Sequence, residues 1–415
     1  MARRLLLVLL LLFAGCYGQL GGDRGRAPSD DDDSTADDDD AVDDDDATDD
    51  DDATDDDDAT DDDDATDDDD ATDDDDATDD DDAAPDYTVC DDGVAPHAQI
   101  QDAVDAAQDD DVITVCPGTY EPVEIEDLDL TLIGVEGSAT TVIDGGTGLA
   151  LAVFEADVTI QGLTLTGTAR DEEPGALYAV FADLVAQDVR VADCSSLADP
   201  TDHVGAVLLE RTSAEWTDGL VEDNVQVPFL FHAFESDVVV RRTIFRDNVW
   251  AGDAVGGPLL WAEESDLELS NSIFHDNAVH AGAGAVAPGP DGWVHNNVFH
   301  DNSNAWGGVG ALRAFGSEVF NNIITDNSVG LNTAAGAVAQ YNLVWDNDED
   351  YGVSTEADET DLSQNPRMVD PDNGDFTLDP GFSPCIDAGN PLPGYDDVDG
   401  TPNDIGAYGG PFGDW

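Results

Sequence analysis

The sequence predicts an all-β chain, most of it wound as a solenoid of short strands, and the prediction rests on an internal repeat. Asp-Asn pairs recur at 223/224, 247/248, 276/277, 301/302, 326/327 and 346/347, spaced by 24, 29, 25, 25 and 20 residues. An apolar pair precedes each of them, from Leu220-Val221 and Ile244-Phe245 through Ile273-Phe274, Val298-Phe299 and Ile323-Ile324 to Leu343-Val344. Small-residue turns at Gly282–Val286, Gly307–Leu312 and Ala335–Val338 punctuate the later repeats. A propeller blade needs a longer period, and a leucine-rich repeat keeps its leucines at fixed positions. A turn of three strands, repeated with loops of differing length, satisfies both the spacing and its variation.

The elements follow in chain order. Met1 to Gly15 has basic Arg3 and Arg4, an unbroken apolar run from Leu5 to Phe13, and a small-residue ending before Cys16. Such a run is too short for a bilayer span of about 20 residues and is a secretory signal over 1–15. From 16 to 85 the chain is a spacer that repeats four Asp followed by Ala-Thr. The repeats have no apolar surface to offset chain entropy, their like charges extend them, and the stretch from Ser29 to Pro85 reaches at most about 190 Å. As a function it is a stalk, and secondarily a loose reservoir for divalent cations.

Charge narrows the partners. The 415 residues hold 98 acidic and 12 basic side chains, all of the latter arginine, for a net charge of -86. Even without the signal and the Asp tetrads, the chain from Ala83 onward carries about -53. A phosphate backbone is repelled by such a surface, so nucleic acid is excluded as a partner. Compaction at this charge requires screening by salt or divalent cations.

After Pro85, Ile100, Ala103, Val104 and Ala107 stand at helical spacing within His97–Gln108 and predict one short amphipathic helix. Beyond it come only short apolar runs: Val112–Cys116, Leu130–Ile133, Val158–Leu165, Leu184–Val191 and Val238–Val240. Asn224, Asn248, Asn277, Asn302, Asn327 and Asn347 are expected to turn inward at one corner and stack, each amide accepting from one turn and donating to the next. The preceding aspartates, Asp223 through Asp346, then form a column of like charges that calls for cations. Asp193-Cys194 occupies the same position one repeat earlier, which makes Cys194 an inward-facing free thiol. About eleven coils are expected, for a length on the order of 50 Å.

Three groups of motifs carry resemblances. Thr114-Val-Cys-Pro-Gly-Thr-Tyr-Glu121, followed by Leu130–Gly134 and Val142–Gly145, resembles the opening of right-handed parallel β-helix proteins of the pectin-lyase-like superfamily. Phe245, Phe274 and Phe299, each three residues before an Asn, are similar to the repeats of chlamydial polymorphic outer-membrane proteins. Phe376-Thr-Leu with Ser383–Gly389 and Asp404–Tyr408 resembles the closing segment of bacterial secreted β-helix proteins. The resemblance implies a right-handed parallel β-helix over 86–365, a closing segment over 366–415, and a short helix capping the N-terminal end of the solenoid. The ending before Cys16 is similar to the lipobox of bacterial lipoproteins, although Phe13 stands where that motif has Leu. It implies a lipid on Cys16, and Tyr17 in place of the inner-membrane retention Asp implies the outer membrane or cell surface.

Cys90 and Cys116 flank the helix and are expected to pair across the cap in an oxidising compartment, while Cys194 and Cys385 are expected to be free. Catalytic marks of the superfamily are missing: there is no Gly-His-Gly and no lysine. The column before the Asp residues, Glu222, Arg246, His275, His300, Thr325 and Trp345, is expected on one outward face. With Arg241 and Arg242 it offers an acidic-sugar site in which Arg246 acts as charge clamp or base and Glu222 as its carboxylate; the alternative is that Arg242 and Arg246 simply neutralise neighbouring carboxylates such as Glu222 and Asp247. Trp250, Trp261, Trp293 and Trp306 are expected in turns, where indoles stack on sugar rings. Asp397, Asp399 and Asp404 have oxygen-rich spacing for Ca²⁺ but lack the closing Glu of an EF-hand. The resulting expectation is a lipid-anchored surface protein that binds carbohydrate or acts as an adhesin without catalysis. The alternatives are a Ca²⁺-dependent lyase or glycoside hydrolase for acidic polysaccharide, and a structural envelope protein.

Overall fold

The structure, a computed structural model, describes residues 87–90, 95–170, 173–197, 205–227, 229–250, 257–279, 285–304, 310–334 and 336–415. The expected signal (1–15), the spacer (16–85), Cys16 and Trp306 lie outside the described residues. No helix among the described residues is long and apolar enough to cross a membrane.

One turn shows the construction. A five-residue strand, Asp183–Gln187, leads to a three-residue strand, Arg190–Ala192, and then to a four-residue strand, Val207–Glu210. Each pairs in parallel with its counterpart one turn later, so that Asp183 lies beside Ser213, Arg190 beside Leu220 and Val207 beside Phe231. Stacked turns give three parallel sheets wound as a right-handed parallel β-helix. Sheet 1 has eleven strands from Thr88–Val89 to Val338–Gln340, sheet 2 ten from Gly118–Tyr120 to Leu343–Trp345, and sheet 3 nine from Val123–Glu126 to Leu331–Ala334. The nine strands of sheet 3 leave fewer complete turns than the eleven coils expected.

Strand alternation builds the core. In sheet 1 the second and fourth residues point in, as with Val238 and Val240 or Leu267 and Leu269, all at most 2% exposed. Sheet 2 contributes one inward residue per turn. There Phe245 stacks on Phe274 at 4.4 Å and Phe274 on Phe299 at 5.0 Å, which explains the recurring Phe three residues before each Asn. Trp216 fills the sheet 1 position held by Ala186 and Val240 on neighbouring turns and meets Phe231 edge-on. Its indole lies where a Cβ on Gly219 would sit. Gly219→Ala is therefore expected to destabilise the protein by about 2 kcal/mol, read as a lower urea midpoint with unchanged slope.

Left-handed residues make all three corners. Asp193, Asp223, Asp247, Asp276, Asp301, Asp326 and Asp346 each have φ between 49° and 59° at the corner from sheet 2 to sheet 3. Asp tolerates this conformation better than most residues, so the Asp column has a backbone cause and needs no cations to explain it. The following Asn turns inward. Nδ2 of Asn224 donates to Oδ1 of Asn248 at 2.9 Å, and the bond repeats from Asn248 to Asn277, Asn302, Asn327 and Asn347 at 2.9–3.0 Å. Cys194 opens the ladder, its backbone N–H donating to Asn224 Oδ1 at 2.9 Å, and Asp350 closes it by accepting from Asn347 Nδ2 at 3.0 Å. A carboxylate suits the closing position because it accepts and has nothing left to donate.

The N-terminal end differs from expectation in length. The helix covers only Ile100–Val104 and buries Ile100, Ala103 and Val104 over the first turns. The backbone N–H of Gln108 donates to the Asp111 side chain and Asp110 is left-handed (φ 69°), so the chain leaves helical geometry before the apolar spacing ends. Cys90 and Cys116 are bonded with Cα atoms 5.1 Å apart. Cys194 and Cys385 are free and buried.

The C-terminal residues fold back along the outside as a strap. Phe376, Cys385, Ile405 and Ala407 cover Ile273, Val298, Ile323 and Leu343, which are the outward residues of successive sheet 2 strands. A second small core thus lies on what would otherwise be the solvent face of sheet 2.

Candidate ligand groove

The outward side chains of sheet 1 stand in three columns fixed by the strand register. The first holds Asp157, Asp183, Ser213, Asp237 and Asp266, the second Thr159, Val185, Glu215, Val239, Glu268 and Trp293, and the third Gln161, Gln187, Thr217, Arg241, Ser270 and His295. Together with Asp129 and Asp291 the first two columns line an open groove of about 800 Å³. Its rim is strongly acidic. Asp157 is pushed above the ordinary carboxylate range by desolvation and by the charges of Asp129 and Asp183. Glu215 and Glu268 face each other across the turn that carries Arg241. Arg241 Nη2 lies 2.7 Å from Glu268 and Nη1 3.6 Å from Glu215, while its guanidinium sits 4.5 Å over the Phe412 ring of the strap.

Sequence reasoning placed the site elsewhere, on the column before the Asp residues. The register does align Glu222, Arg246, His275, His300, Thr325 and Trp345 on successive sheet 2 strands. For His275, His300 and Glu222 the expected openness is corrected. His275 and His300 are 7% and 6% exposed, with the strap's Phe376 packed against both rings at 5.1 and 5.6 Å. His275 Nδ1 lies 2.6 Å from Asp276, and His300 Nδ1 is 3.0 Å from Thr325 Oγ1. Glu222 is also buried and is bonded by Arg190 at 2.6 Å and by Arg246 Nε at 2.8 Å. Burial alone would push its carboxyl up, but the two guanidinium groups outweigh it and hold Glu222 below its usual range. Arg242 is engaged with Asp218 at 2.6 and 2.9 Å. Arg242 and Arg246 thus neutralise neighbouring carboxylates, the alternative that the sequence offered.

Of the tryptophans expected in turns, Trp250 lies between strands and Trp261 and Trp293 do not. Trp261 lies in the sheet 3 strand Leu260–Glu263 and stacks on His232 at 4.6 Å, and Trp293 lies in the sheet 1 strand Trp293–His295. Trp250 follows the sheet 2 strand Ile244–Arg246 and is half-buried.

The carboxylates named for Ca²⁺ are engaged within the strap. Asp397 Oδ1 accepts from the backbone N–H groups of Gly410 (2.5 Å) and Asp404 (3.1 Å). Asp399 is occupied by Thr401, and Asp404 Oδ1 accepts from the Asp387 N–H at 2.7 Å. These carboxylates hold turns of the strap, and no three His, Cys, Asp or Glu side chains converge as a metal-ligand group among the described residues. Burial, against those hydrogen bonds, pushes Asp397 from 3.8 up to about 6. A carboxyl whose pKa is raised on folding binds its proton more tightly in the folded state. Its contribution to stability is therefore complete below about pH 4 and lost as pH rises through 6. Asp397→Asn keeps the acceptor and is expected to flatten this dependence. The gain near pH 7 is about 1 kcal/mol after allowance for solvent screening of a half-exposed group, checked by thermal melts between pH 4 and 8.

One set of polar residues was overlooked. At the corner from sheet 1 to sheet 2, Asn271-Ser272, Asn296-Asn297, Asn321-Asn322 and Tyr341-Asn342 each pair a left-handed residue with an inward one. The inward members form a second ladder: Asn297 Nδ2 donates to Asn322 Oδ1, and Asn322 Nδ2 to Asn342 Oδ1, both at 3.0 Å. The outward members hold the strap. Asn271 Nδ2 donates to Ala407 O and Gly409 O at 2.9 and 2.7 Å, and Asn296 Nδ2 to Asp404 O at 3.0 Å. The signal was present in the sequence as Asn doublets at 296/297 and 321/322, with the same spacing of 25 as the Asp-Asn pairs.

The strand register defines the class: a right-handed parallel β-helix with a strapped outer face and an open acidic groove. No family model and no curated protein matches the chain. Among solved structures it is similar to the pectin methylesterase from Aspergillus niger, at 17% identity and a TM-score of 0.31 over 68% of this chain and 92% of that one. It is similar to the pectin methylesterase from carrot, at 12% identity and a TM-score of 0.36 over 69% and 90% of the two chains. The pectate lyase Pel9A gives 12% identity and a TM-score of 0.36 over 75% and 91%.

Proposed function

We propose that this protein is a non-catalytic polysaccharide-binding β-helix, held at the cell surface by a lipid on Cys16 and extended on its Asp-rich stalk. The groove of sheet 1 is its ligand face. The carrying observation is an open face, lined with aligned carboxylates and Trp293, on which the cation of the third column, Arg241, is shared between Glu215 and Glu268. Carboxylate columns repel uronate chains unless cations bridge them, and they favour neutral or amine-bearing chains.

The test incubates the full chain with neutral, amino-sugar and uronate polysaccharides, with and without Ca²⁺, and follows pull-down and product. Binding of amino-sugar chains without product is expected, weakening as salt rises. Loss of binding in Glu215→Gln with Asp237→Asn would assign it to the groove. Because Arg246 is engaged by Glu222, Arg246→Ala is expected to leave binding unchanged within twofold. The cluster of Glu215, Arg241 and Glu268 in adjacent turns favours a second reading, a lyase or hydrolase. New reducing ends or unsaturated uronate absorbance would establish that one instead. Mass spectrometry finding Cys16 unacylated would remove the anchor.

A further inference from the structure

Buried polar atoms without a partner concentrate where the strap meets the groove. Ser270 Oγ, Asn271 Oδ1, Trp293 Nε1 and His295 Nε2 are buried side-chain atoms with no hydrogen bond. Ser270 and His295 are register partners on adjacent sheet 1 strands, Asn271 follows Ser270, and the rings of Trp293 and His295 are 4.9 Å apart. Ser270 and Asn271 are fully buried and His295 is 3% exposed. Each such atom left alone has a desolvation cost, and native proteins rarely tolerate several together.

The bonding pattern selects a ligand. His295 Nδ1 lies 3.2 Å from Asn296 Oδ1, which makes Nδ1 the protonated nitrogen and leaves Nε2 as an acceptor. Burial lowers the His295 pKa, consistent with the neutral ring. Asn271 spends its amino group on Ala407 O and Gly409 O, so Oδ1 is an acceptor too. Trp293 Nε1 only donates, and Ser270 Oγ does either. Two fixed acceptors disfavour an anion, and a fixed N–H donor disfavours a bare cation. A hydroxyl both donates and accepts, and water, with two protons, serves both acceptors where a saccharide hydroxyl serves one.

We propose that Ser270, Asn271, Trp293 and His295 form a hydroxyl-binding site at the junction of strap and groove. The hydroxyl comes either from internal water or from a saccharide in the groove that Trp293 lines. The saccharide source rests on the proposed binding function; the water source does not.

Two measurements on the full chain test it. The first is the ¹⁵N shift of His295 Nε2 without and with a neutral β-glucan hexamer. A hydrogen-bonded Nε2 supports the site, and the shift of a bare lone pair in both conditions overturns it. A bonded value without the hexamer assigns water, and one that appears only with it assigns the saccharide, so failed polysaccharide binding leaves the water arm standing. The second is the Tm of His295→Phe, a ring that would continue the parallel stack on Phe320 at 5.1 Å. A filled site lowers Tm by several degrees because its other three groups lose their bridge. A rise in Tm means that the polar atom had no partner to lose, and the proposal fails.

Discussion

Asn277→Ala is expected to destabilise the solenoid by about 4 kcal/mol. The Asn277 amide donates to Phe245 O and Asn302 Oδ1 at 2.8 and 2.9 Å, and accepts from the backbone and side-chain N–H groups of Asn248 at 3.1 and 2.9 Å. Alanine removes all four bonds at once and leaves buried groups on both neighbouring turns without water to replace them. Asn277→Asp separates the amide from mere polarity. It keeps the acceptor, loses the donor and buries a charge, so it is expected to be at least as damaging at pH 7 and to recover in part on acidification. Asp276→Asn, one residue away, retains a side chain suited to the left-handed corner (φ 55°) and is expected to cost less than about 1 kcal/mol. Urea unfolding of the three variants checks the ranking. Equal midpoints for Asn277→Ala and the parent would mean that the ladder is not a stabilising element.

Phe376→Ala is expected to release the strap while leaving the solenoid folded. Phe376 is 1% exposed and packs against His275 and His300, so truncation costs about 3 kcal/mol of strap docking. The readout is built into the chain. Cys385 is buried in the strap's own cluster, its thiol pushed up to about 12 by burial, and it is inert while the strap is down. Alkylation of Cys385 is expected to rise on the order of a hundredfold in the variant, each 1.4 kcal/mol being tenfold in the open population. Cys194, buried at the head of the first Asn ladder, is the internal control and is expected to stay unreactive. Equal acceleration at both thiols would mean global unfolding, and an unchanged Cys385 would mean that other contacts hold the strap.

The two predictions also mark what could be read in advance. The Asp-Asn spacing carried the period, the all-β class and the inward Asn positions, because each turn repeats one local instruction: a left-handed residue followed by a buried amide. Local sequence suffices for such features, since the partners of each residue are its equivalents one period away. The second ladder was legible by the same logic in the Asn doublets but was masked by its variation to Asn-Ser and Tyr-Asn.

The site was not legible in this way. Whether His275 and His300 face solvent depends on a strap whose Phe376 lies 29 residues beyond the last Asp-Asn pair and whose docking no periodicity encodes. The acidic groove was hidden for a different reason. Its carboxylates, such as Asp157, Asp183, Asp237 and Asp266, are unremarkable in an acidic chain until the register places them in one column. Glu215 and Arg241 are 26 residues apart, and only the turn length brings them together. By itself the sequence determined the repeat, the corners and the charge, because these depend on backbone preference and composition. The tertiary structure alone decided which columns remain open, because exposure is set by what packs on top, and here a distant segment covers the later strands of sheet 2 and leaves the groove of sheet 1 open.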